Sequence, residues 1–446
     1  MEKKSKTIAL SRASVLSTVW PIILANASAP LLGIADTAVI GRNGSVEALG
    51  AIALGSLIFS FVYWSFGFLR MTTTGFVAQA DGAGQEQEVR LSVLRPLVLG
   101  GVFGIFLWLL QAPIHSLSFW ILDGTAQVEA LAGEYFRMRI WGAPAALATY
   151  AVVGTLIGLE KSRLLLFLQV FTNGLNIALD LLFAGPLDMG VQGVAVGTTV
   201  AEWSGLLLGL WLLRLVFRER SQVSFQWAEL WDQEKLRGLF AAQFDIMLRT
   251  LLLLAGFAWF TNQGAKFGDE VLAANHVLLQ LVSFSAFVLD GFAFATESLV
   301  GRAEGAGDPG LFDRALRLTS ELAALSALML AGAVWVLGPL AIEGMTDLAK
   351  VQAVARSYLG YAAVYVALSA AAFQLDGVFI GVTRTREMRN AVLVALLGFL
   401  LASLPLIQHW GNHGLWVAFI GYVVFRAVAL GVLLPGVRRG VNPQSP

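Results

Sequence analysis

The stretch VAQADGAG at residues 77–84 recurs as VGRAEGAG at residues 300–307, an offset of 223 residues. At the same offset GTLIGLEKSR (154–163) recurs as GVFIGVTRTR (377–386). One offset over such a length indicates an internal repeat of two halves. Both copies of the first motif lack the Gly-Lys-Ser/Thr ending of a phosphate loop, so we expect them to form tight turns between helices.

The composition places the chain in a membrane. Of its 446 residues 57% are hydrophobic and only 13% are charged, and the mean hydropathy is +0.72. Soluble proteins carry about 25% charged residues. The apolar residues form runs of 18 or more, which are typical of transmembrane helices, whereas a β-barrel would show short alternating segments. The zero net charge gives no indication of a nucleic-acid partner, and the absence of cysteine excludes disulfides and thiolate chemistry.

The sequence therefore predicts an all-α polytopic membrane protein with twelve transmembrane helices in two six-helix bundles around a central cleft. The predicted spans cover approximately residues 14–40, 48–79, 93–112, 127–153, 163–184, 191–214, 237–262, 271–299, 315–338, 352–379, 388–408 and 414–436. Because six is even, the two halves have the same orientation in the bilayer. Two like-oriented bundles around a cleft are typical of a transporter.

The domain boundaries follow from the same pattern. We expect an N-lobe at 1–217, a cytoplasmic linker at 218–236 and a C-lobe at 237–446. The linker contains an amphipathic stretch that is expected to lie on the membrane surface. Basic residues concentrate in alternate loops, so the positive-inside rule places both termini in the cytoplasm. The apolar run at the N-terminus is too long for a signal peptide, and the short termini suit a bacterial inner membrane.

Polar residues within the N-terminal half converge on one depth. At 1.5 Å per residue, Asp36 lies about 33 Å along the first span and Asp180 about 25 Å along the fifth, and both spans run outward. Thr198 lies roughly 10 Å below the outer end of the sixth span, and Asn176 is one turn below Asp180. Pro30 removes a backbone hydrogen bond from the first span and is expected to kink it below Asp36.

Two carboxylates in a partly dry cavity repel each other and lose solvation, and a bound proton or a small cation relieves both effects. The sequence therefore predicts a site for a proton or Na⁺ at Asp36, Asn176, Asp180 and Thr198. The alternative is that the acids face water or form hydrogen bonds with neighbouring helices. The four His residues show no metal-ligand spacing.

A second group of polar residues lies in the C-terminal half, nearer the inner surface. It consists of Asp245, Arg249, Asp290 and Asp376, and Arg249 follows Asp245 by four residues, well placed for an ion pair within one helix. A charge-balanced cluster of this kind ties helices together. The alternative is a second cation site or a coupling relay.

Five further charged residues lie in or near spans without an evident partner: Arg70, Arg137, Arg139, Glu202 and Arg426. Snorkelling or local pairs between helices account for such residues. Aromatic residues are dense, and those that face the cleft would suit a bulky cationic guest through cation–π contacts.

Several motifs, taken in order, resemble the multidrug and toxic compound extrusion (MATE) family, and in particular its DinF-like branch. They are ADTAVIGR after a proline-containing first span, NGLNIALD on the fifth span, DIMLRT on the seventh, AANHVLLQL on the eighth and QLDGVFIG on the tenth. Each motif is weak alone, but their order and spacing are specific and cover essentially the whole chain. The context of Asp245 differs from that of the Na⁺-coupled NorM-like branch, which relies more on acids of the C-lobe.

The resemblance implies an efflux antiporter, coupled to H⁺ or Na⁺, that exports organic, amphipathic and often cationic compounds by alternating access. In the family, the acid of the first span is the principal ion-linked residue, here Asp36. No cofactor is implied beyond the coupling ion, and the expected partners are a small-molecule substrate and the lipid bilayer, with the chain a monomer. A lipid-linked oligosaccharide flippase is the alternative, since Arg70, Arg137 and Arg139 could contact a pyrophosphate. No nucleophile–base or metal set suggests an enzyme.

Overall fold

The computed structural model of the chain describes residues 10–43, 45–122, 124–220 and 227–441, without the side chains of residues 29–32, 34–43 and 227. Every regular element in these ranges is helical, which confirms the prediction of an all-α chain. The predicted site residues Pro30 and Asp36 lie on the first helix, but their side chains fall outside the described residues. Residues 221–226 of the predicted linker fall outside them as well.

The helices up to the linker are α1 (Arg12–Asn43), α2 (Val46–Ser65), α3 (Phe68–Gly82), α4 (Glu86–Leu109), α5 (Gln111–Ile121), α6 (Ala126–Arg139), α7 (Ala143–Gly158), α8 (Ser162–Ala184) and α9 (Gly190–Arg218). A 3-10 turn, Ile140–Gly142, joins α6 to α7. The remaining helices are α10 (Trp227–Leu230), α11 (Gln233–Ala265), α12 (Asp269–Gly305), α13 (Pro309–Met345), α14 (Ala349–Gly381) and α15 (Thr385–Gly440).

Short polar side chains fix several of the helix starts. Ser45 accepts a hydrogen bond from the backbone N–H of Ala48 at 3.2 Å and caps α2. Asp308 caps α13 in the same way, with Pro309 at the first helical position, where its missing N–H leaves no bond unmade. These caps satisfy backbone donors that neither the helix nor a lipid environment could satisfy.

Ten helical stretches of the described residues are long and apolar enough to cross a membrane. The predicted second span is divided at Phe66 and Gly67 into α2 and α3, and α5 is a short helix that the sequence did not predict. Helix α15 is two helices, because Gly411 interrupts it with φ 56° and ψ −133°. Beyond the break, Gly414 lies directly against the Leu406 carbonyl, where a side chain would not fit, so the chain folds back there.

The chain divides into two compact units, which we call the first unit (Leu24–Met247) and the second unit (Met1–Ile23 with Leu248–Pro446). In the first unit, α7 packs against α3, α4 and α9, and α8 packs against α9. In the second unit, α14 packs against α12, α13 and α15. The core of the second unit is rich in aromatic rings, with Phe260 packed against Trp416 and Phe419.

The repeat in the sequence corresponds to a repeat in the backbone. Helix α3 ends at Gly82 and α12 ends at Gly305, and each is followed by a turn whose glycine has a positive φ, 68° at Gly84 and 60° at Gly307. Only glycine adopts this conformation without strain, which explains why both GAG motifs end as they do. The prediction that these motifs form tight turns is confirmed.

Glycines also set how closely helices approach in both units. A Cβ added to Gly154 on α7 would lie 2.5 Å from the Arg70 carbonyl oxygen of α3. The equivalent Cβ on Gly377 of α14 would lie 2.6 Å from the Ala293 carbonyl oxygen of α12. One turn further, Gly158 and Gly381 make the same kind of contact with the carbonyls of Thr74 and Glu297. Each unit therefore contains at least one helix pair that only glycines allow to cross backbone to backbone.

This crossing gives a prediction about stability. Gly377→Ala should destabilise the chain by about 1–3 kcal/mol, because the new methyl group overlaps the Ala293 carbonyl. The matched control is Gly101→Ala on α4, where a Cβ meets no atom within 4 Å and the helix gains about 0.5–1 kcal/mol. Thermal unfolding of both variants in one detergent measures the difference. Equal melting temperatures for the two would show that the crossing is loose.

Candidate functional site

Three of the four predicted ion-site residues lie together in the first unit. The side-chain amide of Asn176 donates one hydrogen bond to Asp180 Oδ2 at 2.7 Å and another to Thr198 Oγ1 at 3.3 Å. The Thr198 hydroxyl donates to the Val194 carbonyl at 2.9 Å. Asp180 is fully buried, and Asn176 and Thr198 are nearly so. A single amide thus bridges a carboxylate on α8 and a hydroxyl on α9.

The local sequence explains why the two helices come so close. Asn176 and Asp180 are one turn apart on the same face of α8. On α9, Gly197 faces this pair, and a Cβ there would touch the Asp180 carboxylate. Gly193, one turn earlier on α9, faces Phe183 of α8, and a Cβ there would lie 2.9 Å from the backbone carbonyl carbon of Phe183. The glycines let the α9 backbone serve as one wall of the site.

Helix α1 is connected to the same face of α8. Asn173, one turn before Asn176, donates a hydrogen bond to Ser28 Oγ at 2.7 Å. Ser28 lies two residues before Pro30 on α1. This contact is the described link between the first helix, which carries Asp36, and the polar face of α8.

The donor set suits a proton or a hard cation. The carboxylate of Asp180 and the hydroxyl of Thr198 are oxygen ligands, the amide of Asn176 directs its N–H groups at both, and a carboxylate can also hold a proton. No group of three or more His, Cys, Asp or Glu side chains that could hold a metal ion occurs in the described residues. The described donors of the site are hard oxygen atoms, which suit H⁺ or Na⁺.

The second predicted cluster is an ion network in the second unit. Arg249 of α11 forms an ion pair with Asp376 of α14, and Arg426 of α15 approaches the same carboxylate oxygen at 3.7 Å. Asp290 of α12 adds an electrostatic attraction on Arg426. The pair between Arg249 and Asp245 that sequence spacing predicts within one helix stays a prediction, and the structure adds the pair of Arg249 with Asp376 of another helix. Asp245 lies buried one turn earlier on α11.

This network ties three helices together through one carboxylate. Asp376 is 5% exposed, Arg249 8% and Arg426 7%, so the three charges are held away from water. Two guanidinium groups on one carboxylate leave little negative charge for an incoming cation to neutralise. Arg426 was named in the sequence without a partner, and its partner comes from another helix of the fold.

A second buried ion pair lies in the first unit, and sequence reasoning did not find it. Arg139 at the end of α6 donates to Glu202 of α9 at 2.6 Å. The guanidinium also lies over the rings of Phe59 and Tyr63, at 5.1 and 5.6 Å from their centroids. No spacing rule connects residues 139 and 202. The available signal was the charge of each residue within an apolar span.

Both described ends of the predicted linker contact the first unit near the turn that joins α3 to α4. Arg220 contacts Asp81 at 2.6 Å and Glu86 at 2.8 Å. Burial lowers the pKa of the Arg220 guanidinium, but its hydrogen bonds and Coulomb attraction to Glu86 and Asp81 outweigh burial and raise the pKa above its usual value. Beyond the undescribed residues, Arg95 donates to the Glu229 carbonyl at 2.8 Å. Arg220, at one described end, is thus held by residues on either side of the turn between α3 and α4, and Glu229, at the other end, is held by α4.

Comparison with known proteins agrees with this fold. A family profile described as MatE matches residues 21–182 and 246–406, once in each half of the chain. DNA damage-inducible protein F of Escherichia coli (strain K12) is 37% identical over 414 residues, which cover 93% of this chain and 90% of that protein. The "Probable multidrug resistance protein NorM" of Deinococcus radiodurans is 30% identical over 94% of this chain and 93% of that protein.

Solved structures show the same fold. The crystal structure of a MATE protein in the bent conformation superposes with a TM-score of 0.86 at 19% identity and covers 96% of this chain and 95% of that one. The crystal structure of a MATE protein in the straight conformation gives a TM-score of 0.83 at 20% identity, with 96% of both chains covered. The two profile matches begin at residues 21 and 246, a separation close to the 223-residue repeat.

The ion network of the second unit predicts that losing its shared carboxylate costs more stability than losing one of its two arginines. Asp376→Asn should cost about 3–5 kcal/mol, because it removes the buried carboxylate that both arginines contact. Arg249→Met should cost less, since Arg426 remains to pair with Asp376. Thermal unfolding in detergent measures both. Asp313→Asn removes an exposed partner of Arg438 and should leave the melting temperature nearly unchanged. If Arg249→Met proved as harmful as Asp376→Asn, Arg426 would not be a counterion.

Proposed function

The chain belongs to the MatE family, and from that premise we propose that it is a cation-coupled efflux antiporter that exchanges H⁺ or Na⁺ for organic compounds. The proposed substrates are amphipathic and often cationic molecules. Two kinds of relative support this: proteins named as probable multidrug resistance protein NorM, and plant proteins named DETOXIFICATION. The observation that carries the proposal is the buried carboxylate of Asp180, held by an amide next to a hydroxyl.

We propose that the chain crosses the membrane twelve times in two six-helix bundles around a central cleft. The ten apolar stretches, the break in α15 at Gly411 and the apolar sequence of α1 support this number. The bundles would be the N-lobe (1–217) and the C-lobe (237–446), joined by the linker (218–236). Both termini would be cytoplasmic, in a bacterial inner membrane, with the chain acting as a monomer.

The contact between α1 and α8 supports a shared ion site at Asp36 and Asp180. Ser28 and Asn173 fix the register of the two helices. Asp36 lies eight residues beyond Ser28 and Asp180 seven residues beyond Asn173, which correspond to about 12 Å and about 10.5 Å of helix. With both helices running outward, the two acids belong to the same level of the membrane. Asn176 and Thr198 complete the proposed site.

The proposed cycle follows from the charge of this site. Substrate enters the cleft from the cytoplasm or the inner leaflet, and the bundles rock to an outward-open state. A proton or Na⁺ then binds Asp36 together with Asp180. Neutralising the site removes the electrostatic repulsion, and α1 bends at Pro30, which shrinks the cavity and releases the substrate. Ion and substrate must each weaken the binding of the other, and this coupling is reciprocal.

The second unit has a supporting role in this proposal. Arg249 and Arg426 already neutralise Asp376, so a cation gains little there. A flippase for a lipid-linked oligosaccharide, the alternative function, would use free arginines to contact pyrophosphate. Arg139 is paired with Glu202 and its side chain is only 12% exposed, so it is not accessible to a pyrophosphate, which removes one of the three arginines on which that alternative depended.

The proposed site is tested by removing its charge. Asp36→Asn and Asp180→Asn should each abolish ion-coupled efflux while the protein stays folded, because the neutral side chains cannot respond to the coupling ion. Asp188→Asn is the control, an exposed residue beyond α8 whose positive φ of 49° suits asparagine. Substrate efflux is measured in proteoliposomes under separately imposed pH and Na⁺ gradients, which also identifies the ion.

Wild-type rates for Asp36→Asn under either gradient would refute the proposed coupling. Efflux by the natural chain with no dependence on either gradient would refute antiport itself. Loss of efflux in Asp188→Asn would show that the assay responds to any lost acid.

A second variant tests the geometry without removing any charge. Gly197→Ala should weaken ion-coupled efflux about tenfold or more, because its methyl group displaces the Asp180 carboxylate that lies against α9. Gly174→Ala on α8 is the matched control, since a Cβ there meets no atom within 4 Å. The same proteoliposome assay compares their rates at equal protein content. Equal rates would mean that the position of Asp180 does not matter for coupling.

A further inference from the structure

The second unit contains an open groove that the proposed ion site does not use. Helices α13, α14 and α15 enclose a volume of about 650 Å³. The helices that form it carry mostly apolar and small side chains at this point. The residues that line it are Ala331, Gly332, Trp335, Arg356, Ser357, Gly360, Tyr361, Ala363, Val364 and Ile420.

Small residues create the groove. Gly332 on α13 has no atom within 4 Å of the position that a Cβ would take, so nothing fills the space beside it. On α14, Gly360 lies under the ring of Trp335, at 2.9 Å from the Cβ position to the ring carbon Cζ3. The Trp335 ring therefore lines one side of the groove, and small residues such as Ala331 and Ala363 line it as well.

One end of the groove carries a cation. Arg356 lies seven residues after the start of α14, and its side chain is 44% exposed. It pairs with Glu343 of α13, which occupies part of a guanidinium that has five N–H donors. Five residues further along α14, the Tyr361 hydroxyl and His413 Nδ1 are 3.1 Å apart. The groove thus has an exposed guanidinium, paired on one side with Glu343, at one end and mainly apolar side chains along the rest.

The surroundings of the groove are as apolar as its interior. On α13 the large side chains of Trp335, Val336, Leu337 and Leu340 are each more than half exposed. In a membrane-spanning chain such a surface faces acyl chains. An apolar groove open to this surface is filled by whatever apolar molecule surrounds it, because an empty groove loses its dispersion contacts.

We propose that this groove binds one phospholipid, with an acyl chain between α13 and α14 and the phosphate at Arg356. Charge complementarity selects this occupant, since a phosphodiester accepts the guanidinium donors that Glu343 leaves available. The lining residues of α14 run from Arg356 to Val364, about 12 Å of helix, which accommodates part of an acyl chain beside a headgroup at Arg356. The assignment to the outer leaflet rests on the proposed topology, but the binding itself does not.

The test uses the full-length protein in detergent, titrated with phosphatidylglycerol and followed by native mass spectrometry. The natural chain should retain one phospholipid. Gly332→Phe should weaken retention about tenfold, because the ring fills the groove from a position with free space around it. Gly344→Phe is the matched control, a second glycine of α13 with no atom within 4 Å of its Cβ position, outside the groove.

The headgroup contact is tested separately. Arg356→Gln should weaken retention about tenfold, and Glu343→Gln should strengthen it by a similar factor, because it frees the guanidinium. Equal retention by Gly332→Phe and Gly344→Phe would overturn the proposal, as would displacement of the lipid by a transported dye at its working concentration. Lipid retention does not depend on transport, so failure here and failure of ion-coupled efflux are distinguishable.

Discussion

Direct backbone contact between helices is the constraint on which the rest of the structure depends. At the crossings of α3 with α7 and of α12 with α14, Gly154 and Gly377 leave no room for a side chain. Helices in lipid gain little from the hydrophobic effect against one another, so packing at this distance supplies the attraction. The same device between α8 and α9, at Gly197, brings a hydroxyl and a carboxylate close enough to share one amide. The polar site is a consequence of the packing.

The two halves of the repeat share this scaffold and differ in how they hold charge. Asp180 accepts a hydrogen bond from the neutral amide of Asn176, whereas Asp376 lies against the guanidinium groups of Arg249 and Arg426. Both carboxylates are buried, but their described partners differ in charge. The repeat therefore sets the backbone, and the side chains carried on it give the buried carboxylates of the two halves different partners.

The sequence predicted the all-helical membrane fold, the family and the tight turns, because apolar runs and the repeated GAG motif act locally. It also contained the signal for the helix crossings, since G-x-x-x-G occurs at Gly154–Gly158 and again at Gly377–Gly381. The ion pairs could not be predicted in the same way. Arg139 meets Glu202 only because α6 packs against α9, and Arg249 meets Asp376 although spacing favoured Asp245. Which charged residues pair across helices depends on how the helices pack, and spacing along the sequence does not determine that.

On the proposed cycle, this division of roles has a mechanical consequence. A ligand can shift a conformational equilibrium only by its difference in affinity for the two states. The Asp376 network keeps its counterions within the second unit, so binding of an ion changes its energy little in either state. The first unit places Asp180 in a face of α8 that continues through Asn173 to Ser28 of α1, two residues before Pro30. An ion bound on that face acts on the helix that carries a proline, which is where bending needs the fewest broken hydrogen bonds.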